Sequence, residues 1–122
     1  VLSNSGFTAG ALSVALEKLG IGRYFQKVWS SADFGRIKPD REFFEMAIEY
    51  VLNDNPAGRR EDIVFVGDTY TSDVKGANAA GIDVIWINHK GDRNVENLSL
   101  HSISDTRELL GTVKRLDNGV IT

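Results

Sequence analysis

Two carboxylates in a short segment, residues 67–73, are the clearest candidates for a chemical role in the chain. We call this segment the acidic loop. Asp68 and Asp73 lie there between an apolar stretch and a helical pattern. Hard cations such as Mg²⁺ prefer oxygen ligands and usually take one or two carboxylates with water and phosphate oxygens. A following helix N-terminus would add backbone N–H groups and positive potential. The same residues also fit a turn and a helix cap, so the segment alone leaves both interpretations open.

A lysine with a restricted backbone is the second candidate. Lys38 precedes Pro39, which biases the lysine toward an extended conformation. An ammonium placed in this way could neutralise a phosphate or an acyl-phosphate. A lone lysine is more often a solvated surface residue, and we assign no role to the nearby Arg36.

A third polar cluster follows the first apolar residues. Ser3 and Asn4 come directly after the predicted end of a strand. A hydroxyl and an amide at such a position could hold a phosphoryl oxygen through neutral hydrogen bonds. They also fit a plain turn or helix entry, which is the better interpretation of this pair alone.

Short apolar runs alternate with amphipathic stretches, which indicates an α/β fold with a mainly parallel sheet. Strands are predicted at residues 1–2, 27–30, 62–66, 83–87 and 102–103, and helices at 8–19, 40–52, 69–80 and 105–116. Loops are predicted at residues 33–39 and 88–98. The run at 62–66 is almost continuously apolar, which is typical of a strand buried on both faces. Because ligands bind at the carboxyl ends of parallel strands, we expect one site assembled from distant segments.

The composition is that of an ordinary globular domain, with 122 residues, 42% of them hydrophobic and 25% charged. The net charge of −3 argues against a general nucleic-acid or anionic-membrane surface. The absence of cysteine excludes disulfides and thiolate metal sites and fits a reducing compartment, so we expect a cytoplasmic protein. No apolar run approaches the roughly 20 residues that span a bilayer.

The remaining candidates favour structural roles. Trp29 and Trp86 lie in strand patterns and are predicted core residues. His89 and His101 are isolated, with no partner at metal-ligand spacing.

Taken together, the three polar clusters resemble the motifs of the haloacid-dehalogenase superfamily. The strand ending in Ser3 and Asn4, the Lys38-Pro39 pair and the acidic loop after an apolar strand occur in that family's order. The resemblance covers nearly the whole chain. It implies a three-layer, Rossmann-like core with a mainly parallel sheet.

The resemblance also implies roles for individual residues. Ser3 would bind the transferring phosphoryl group, with Asn4 as a further substrate-binding residue. Lys38 would neutralise the nucleophile and the phosphoryl oxygens. Asp68 would ligate Mg²⁺, and Asp73 would support its water shell or Lys38, so Asp73 counts as both a catalytic and a metal-site residue. The reaction would be phosphoryl transfer to an aspartate followed by hydrolysis, on a small phosphorylated metabolite such as a nucleoside monophosphate.

One motif of the family is absent from the sequence. The Asp-x-Asp pair that supplies the nucleophile does not occur among the 122 residues. We therefore expect residues 1–122 to be the C-terminal portion of such a core, lacking the central first strand and the cap. An N-terminal segment or self-association would complete the sheet, and no turnover is expected from this chain alone.

Two other functions stay open at this stage. Haloacid dehalogenases share the fold, but they lack the acidic residue found here as Asp68, which favours a phosphatase. A non-catalytic α/β module for binding or assembly is the second alternative, and the missing nucleophile is its best support.

Overall fold

The computed structural model describes residues 1–117, and residues 118–122 of the predicted core portion lie outside the described residues. The chain divides into two compact units, of which the first ends at Arg60 and the second begins at Glu61.

The first unit contains a two-stranded parallel sheet and three helices. Strands β1 and β2 are in register, with Leu2 opposite Trp29 and Ser3 opposite Ser30. The elements are β1 (Leu2–Ser3), α1 (Ala9–Lys18), β2 (Trp29–Ser30), α2 (Ser31–Phe34) and α3 (Arg41–Asp54).

Local side-chain caps start the helices of the first unit. The Thr8 hydroxyl accepts from the backbone N–H of Ala11 at the start of α1, and the Asp40 carboxylate accepts from Glu42 at the start of α3. Both caps were predicted. The predicted loop at 33–39 is wrong at its start, because α2 extends to Phe34: the Ser30 side chain caps this short helix and Gly35 ends it with a φ of 65°.

The second unit contains a three-stranded parallel sheet in the order β3-β4-β5. Gly67 at the end of β3 lies opposite Trp86 of β4. The second half of the acidic loop forms a π-helical turn, Tyr70–Val74, which continues into α4. The elements are β3 (Val64–Gly67), α4 (Lys75–Ala79), β4 (Asp83–Ile87), β5 (His101–Ile103) and α5 (Leu109–Asp117).

The prediction that the strand at 62–66 is buried on both faces is wrong. No residue of β3 is fully buried, and Val66 is 37% exposed. Strand β3 is an edge of its three-stranded sheet, whereas the fully buried residues Val84, Ile85 and Trp86 lie on the middle strand β4. The position of the strand in the sheet, rather than its hydrophobicity, decides its burial.

The fold is an α/β, Rossmann-like one, in which each strand pair of the described residues is parallel. Each unit of the described residues holds one sheet, of two strands in the first unit and three in the second. The same residues contain no helix that is long and apolar enough to cross a membrane.

Candidate active site

Ser3 and Asn4 lie at the carboxyl end of β1, as predicted from the sequence. Ser3 is the last residue of the strand and is half-buried. The segment after it is held by the start of α2, where the Ser31 hydroxyl accepts from the Ser5 N–H at 2.9 Å and donates to the Ser5 carbonyl at 3.0 Å. The backbone just after the carboxyl end of β1 is therefore fixed by two hydrogen bonds.

The side-chain amide of Asn4 is bonded to the backbone of Lys38. Its Oδ1 accepts from the Lys38 N–H at 2.7 Å, and its Nδ2 donates to the Lys38 carbonyl at 3.0 Å. These two bonds span 34 residues of sequence and satisfy both polar backbone groups of the lysine. The structure thus brings two of the predicted site residues together, with Asn4 fixing the point from which the Lys38 side chain starts.

The residues that flank Lys38 have a defined backbone conformation and defined ion pairs. The Lys38-Pro39 peptide bond is cis. Arg36, to which the sequence gave no role, pairs with Asp40 at 3.2 Å and with Glu42 at 2.6 Å. These exposed ion pairs support the start of α3 and contribute little to stability.

In the second unit, Asp73 braces the acidic loop from within. Its side chain is buried, with 4% of the residue exposed. The Asp73 Oδ2 accepts from the backbone N–H groups of Asp68 at 3.1 Å and Thr69 at 3.0 Å. A Cβ at Gly67 would lie only 2.4 Å from the Asp73 carboxylate, so only glycine permits this close approach.

Asp68 carries the exposed carboxylate of the loop. Its Oδ1 accepts from the Thr69 hydroxyl at 3.1 Å. Its backbone carbonyl accepts from the Trp86 indole N–H, also at 3.1 Å. The side chain is therefore accessible while the backbone that carries it is held.

A second loop, residues 88–98, packs beside the acidic loop. The Tyr70 hydroxyl bonds to Asn94 and accepts from the Glu96 N–H at 3.2 Å. The Lys75 ammonium pairs with the Glu96 carboxylate, and this hydrogen bond raises the pKa of Lys75 above its ordinary value. Sequence reasoning predicted the 88–98 loop but not these contacts, because single tyrosine and asparagine residues give no pattern.

The acidic loop fits part of a magnesium shell. Its donors are carboxylate oxygens, which Mg²⁺ prefers. No group of three or more His, Cys, Asp or Glu side chains suited to a metal occurs within residues 1–117. Asp68 is the available donor, and Asp73 is already engaged by two N–H groups, so any further ligands would be water, substrate or groups outside these residues.

A parallel α/β fold with an acidic loop at the carboxyl end of a strand defines the class of Rossmann-like enzymes that bind ligands at that edge of the sheet. Within this class, the family model described as haloacid dehalogenase-like hydrolase matches residues 5–87. The chain belongs to this family, whose members are hydrolases.

Several relatives are named as phosphatases. The chain is 34% identical to the pyrimidine 5′-nucleotidase YjjG of Escherichia coli over 69% of its length, covering 35% of that protein. It is 31% identical to the glyceraldehyde 3-phosphate phosphatase of Methanopyrus kandleri over 94% of its length, covering 53% of that protein. The chain therefore spans about a third to a half of these curated relatives.

Solved structures share the fold. YfnB from Bacillus subtilis, assigned as a HAD-hydrolase and solved with magnesium bound, gives a TM-score of 0.71 at 28% identity, over 88% of this chain and 46% of that one. A 2-haloacid dehalogenase from Pseudomonas syringae gives a TM-score of 0.69 at 27% identity, over 82% and 42%. The fold alone thus does not separate phosphatase from dehalogenase chemistry.

Proposed function

We propose that these 122 residues are the C-terminal portion of the catalytic core of a Mg²⁺-dependent phosphohydrolase. The observation that carries the proposal is the acidic loop at the carboxyl end of β3. It presents the exposed Asp68 carboxylate from a backbone held by the buried Asp73. Such an arrangement suits a hard cation whose remaining ligands are water and phosphate oxygens.

The first unit would supply the phosphate-holding groups of the same reaction. The Lys38 ammonium would offset the charge of the phosphoryl oxygens, and the Ser3 hydroxyl would donate to one of them. The two bonds from Asn4 fix the Lys38 backbone, which supports this role. The Asn4 amide retains a second N–H and a second lone pair, so its predicted contact with substrate stays part of the proposal.

The second unit would supply the metal-holding groups. Asp68 would ligate Mg²⁺ directly, and Asp73 would act mainly by holding the Asp68 backbone, with its predicted support of the water shell as a further role. Bound Mg²⁺ would offset the negative charge that builds up on the phosphoryl oxygens.

The reaction we propose proceeds in two steps. An aspartate carboxylate attacks phosphorus, and the alcohol departs with the electron pair of its P–O bond and takes up a proton. Water then loses a proton and attacks the phosphorus of the aspartyl-phosphate; the P–O bond to the aspartate breaks, which restores its carboxylate and releases inorganic phosphate. No Asp-x-Asp pair occurs in these 122 residues, so we propose that the attacking aspartate comes from a segment outside them.

The substrate class we propose is a small phosphorylated metabolite. One relative is named for pyrimidine nucleotides and another for glyceraldehyde 3-phosphate, which supports phosphate esters of modest size. The exposed Asp68 favours phosphoryl transfer over dehalogenation, because removal of a halide involves no cation at this position.

A phosphate-release assay with an aryl phosphate tests the phosphate-holding role in the intact enzyme. The substitution Lys38→Met removes the positive charge and keeps an unbranched side chain. Because the phosphoryl oxygens lose this charge, kcat/KM should fall by about 100-fold or more. Lys18→Met, at the exposed end of α1, is the matched control and should leave the rate unchanged. A Lys38→Met enzyme that keeps most of its activity would rule out this role.

A further inference from the structure

Trp86 contacts the backbone of the residue proposed to ligate the cation. It lies on the buried middle strand β4, with 3% of its surface exposed. Its indole N–H donates to the Asp68 carbonyl at 3.1 Å. The core of the second unit is therefore connected directly to the acidic loop.

The two peptide groups that flank Asp68 are both hydrogen-bonded to buried side chains. The Asp68 N–H donates to the buried Asp73 carboxylate, while the Asp68 carbonyl accepts from Trp86. Both backbone polar groups of Asp68 are thus satisfied by side chains, which restrains the backbone from which its carboxylate projects. Fixing a coordinating residue in this way before the cation binds reduces the conformational entropy that is lost on binding.

The indole ring also packs against Tyr70, two residues after Asp68. The Tyr70 and Trp86 ring centroids are 5.1 Å apart at an interplanar angle of 55°. The Tyr70 hydroxyl in turn bonds to Asn94 in the 88–98 loop. Tyr70 thus connects Trp86 to the 88–98 loop.

We propose that Trp86 is a positioning residue for cation binding, acting through its N–H on the Asp68 backbone. This inference rests on the proposed function, since it assumes that Asp68 ligates Mg²⁺. It adds a residue that touches neither cation nor substrate. Loss of the N–H should weaken Mg²⁺ binding about two- to tenfold, the effect of one hydrogen bond.

The two tryptophans of the chain allow a matched experiment. Trp86→Phe removes the N–H donor, and Trp29→Phe makes the same change at a second buried strand position, which is 8% exposed. Mg²⁺ is titrated into the ¹⁵N-labelled chain at millimolar concentrations, and the amide shifts of Asp68 and Thr69 give the affinity. Asp68→Asn serves as the variant without the ligating charge.

A second variant separates the hydrogen bond from packing. Incorporating 3-benzothienylalanine at position 86 replaces the indole N–H by sulfur and keeps the bicyclic shape, so it remains informative if Trp86→Phe fails to fold. Amide hydrogen exchange at Asp68 and Thr69, measured without Mg²⁺, reports the mobility of the loop independently of any cation.

We expect both changes at position 86 to weaken Mg²⁺ binding and to speed exchange at Asp68 and Thr69, with Trp29→Phe matching the unmodified chain. Unchanged affinity and exchange in a folded chain without the Trp86 N–H would overturn the positioning role alone. If Mg²⁺ shifts no amide resonance of the acidic loop, or shifts these resonances equally in Asp68→Asn, the proposed metal site is wrong. The proposed effect of Trp86 on cation binding is then wrong as well.

Discussion

The close contact between Gly67 and Asp73 is the tightest constraint on the acidic loop. Gly67→Ala would place a Cβ about 2.4 Å from the Asp73 carboxylate and force it off the Asp68 and Thr69 N–H groups. We expect the free energy of unfolding to fall by about 1–3 kcal/mol, the usual effect of overpacking. Urea unfolding measures the change.

Gly10 provides the control for that experiment. It lies within α1, and its added Cβ would meet no atom closer than the Thr8 hydroxyl at 3.8 Å. Gly10→Ala should therefore stabilise the chain slightly, by up to about 1 kcal/mol, since alanine is the better helix former. Equal effects at the two glycines would show that the Asp73 contact is not a constraint.

The bonds from Asn4 to Lys38 make a second prediction at the scale of single residues. Asn4→Ala would leave the Lys38 N–H and carbonyl without these partners, and we expect a loss of about 1–3 kcal/mol in the free energy of unfolding. Asn53→Ala, at an exposed position of α3, should change it by less than about 0.5 kcal/mol. A loss at Asn4 no greater than that at Asn53 would contradict the structure of this contact.

Residue type and a place at a strand end made Ser3 and Asp68 candidates, the position before Pro39 made Lys38 one, and the spacing from Asp68 made Asp73 one. The sequence did not reveal how Asn4 and Trp86 act. Their bonds join segments 34 and 18 residues apart, and no local pattern encodes such pairings. The burial of both tryptophans was predicted and is confirmed, but the partner of the Trp86 N–H depends on the register of β3 and β4.

At the scale of elements, the first half of α3 forms an ion pair, through Glu45, with Arg60 beyond the end of the helix. Arg60 donates to both oxygens of Glu45 at 2.8 Å. These hydrogen bonds hold the pKa of Glu45 below its ordinary value, against the opposing effect of burial. The pair is partly exposed, so its contribution is about 0.5–1 kcal/mol.

This ion pair predicts a pH dependence. A carboxyl whose pKa is lowered by folding stabilises the protein above its unfolded pKa, near 4.5, and loses that effect as the pH falls through the lower folded value. Glu45→Gln should therefore be less stable than the parent at pH 7, and the difference should shrink below about pH 4. Glu49→Gln, exposed on the same helix, is the control in urea unfolding at both pH values. A constant difference would contradict the ion pair.

Helix starts were the most predictable elements, because a cap is a local feature. Thr8, Asp40 and Asp105 each accept a backbone N–H near the beginning of a helix or helical turn, as their sequence contexts predicted. The burial of β3 was not predictable, since an apolar run of the same composition can form a central or an edge strand. That distinction depends on which strands pair, which is a property of the whole sheet.

At the scale of the whole molecule, the 122 residues contain the proposed metal-site carboxylates Asp68 and Asp73 but no Asp-x-Asp pair. We therefore predict that the 122-residue chain binds Mg²⁺ but does not hydrolyse an aryl phosphate. Detectable Mg²⁺-dependent hydrolysis by this chain alone would falsify the proposal that the nucleophile lies elsewhere.

The most direct test of the central claim is the magnesium dependence of phosphate release in the intact enzyme, measured with and without a change at Asp68. Asp83→Ala is the control, because Asp83 begins β4 and pairs with Val64 at the amino end of the strands, away from the acidic loop at their carboxyl end. We predict that Asp68→Ala abolishes Mg²⁺-dependent turnover while Asp83→Ala retains it. Turnover that persists in Asp68→Ala, or that does not require Mg²⁺ in the parent enzyme, would contradict the assignment of the acidic loop as the metal site.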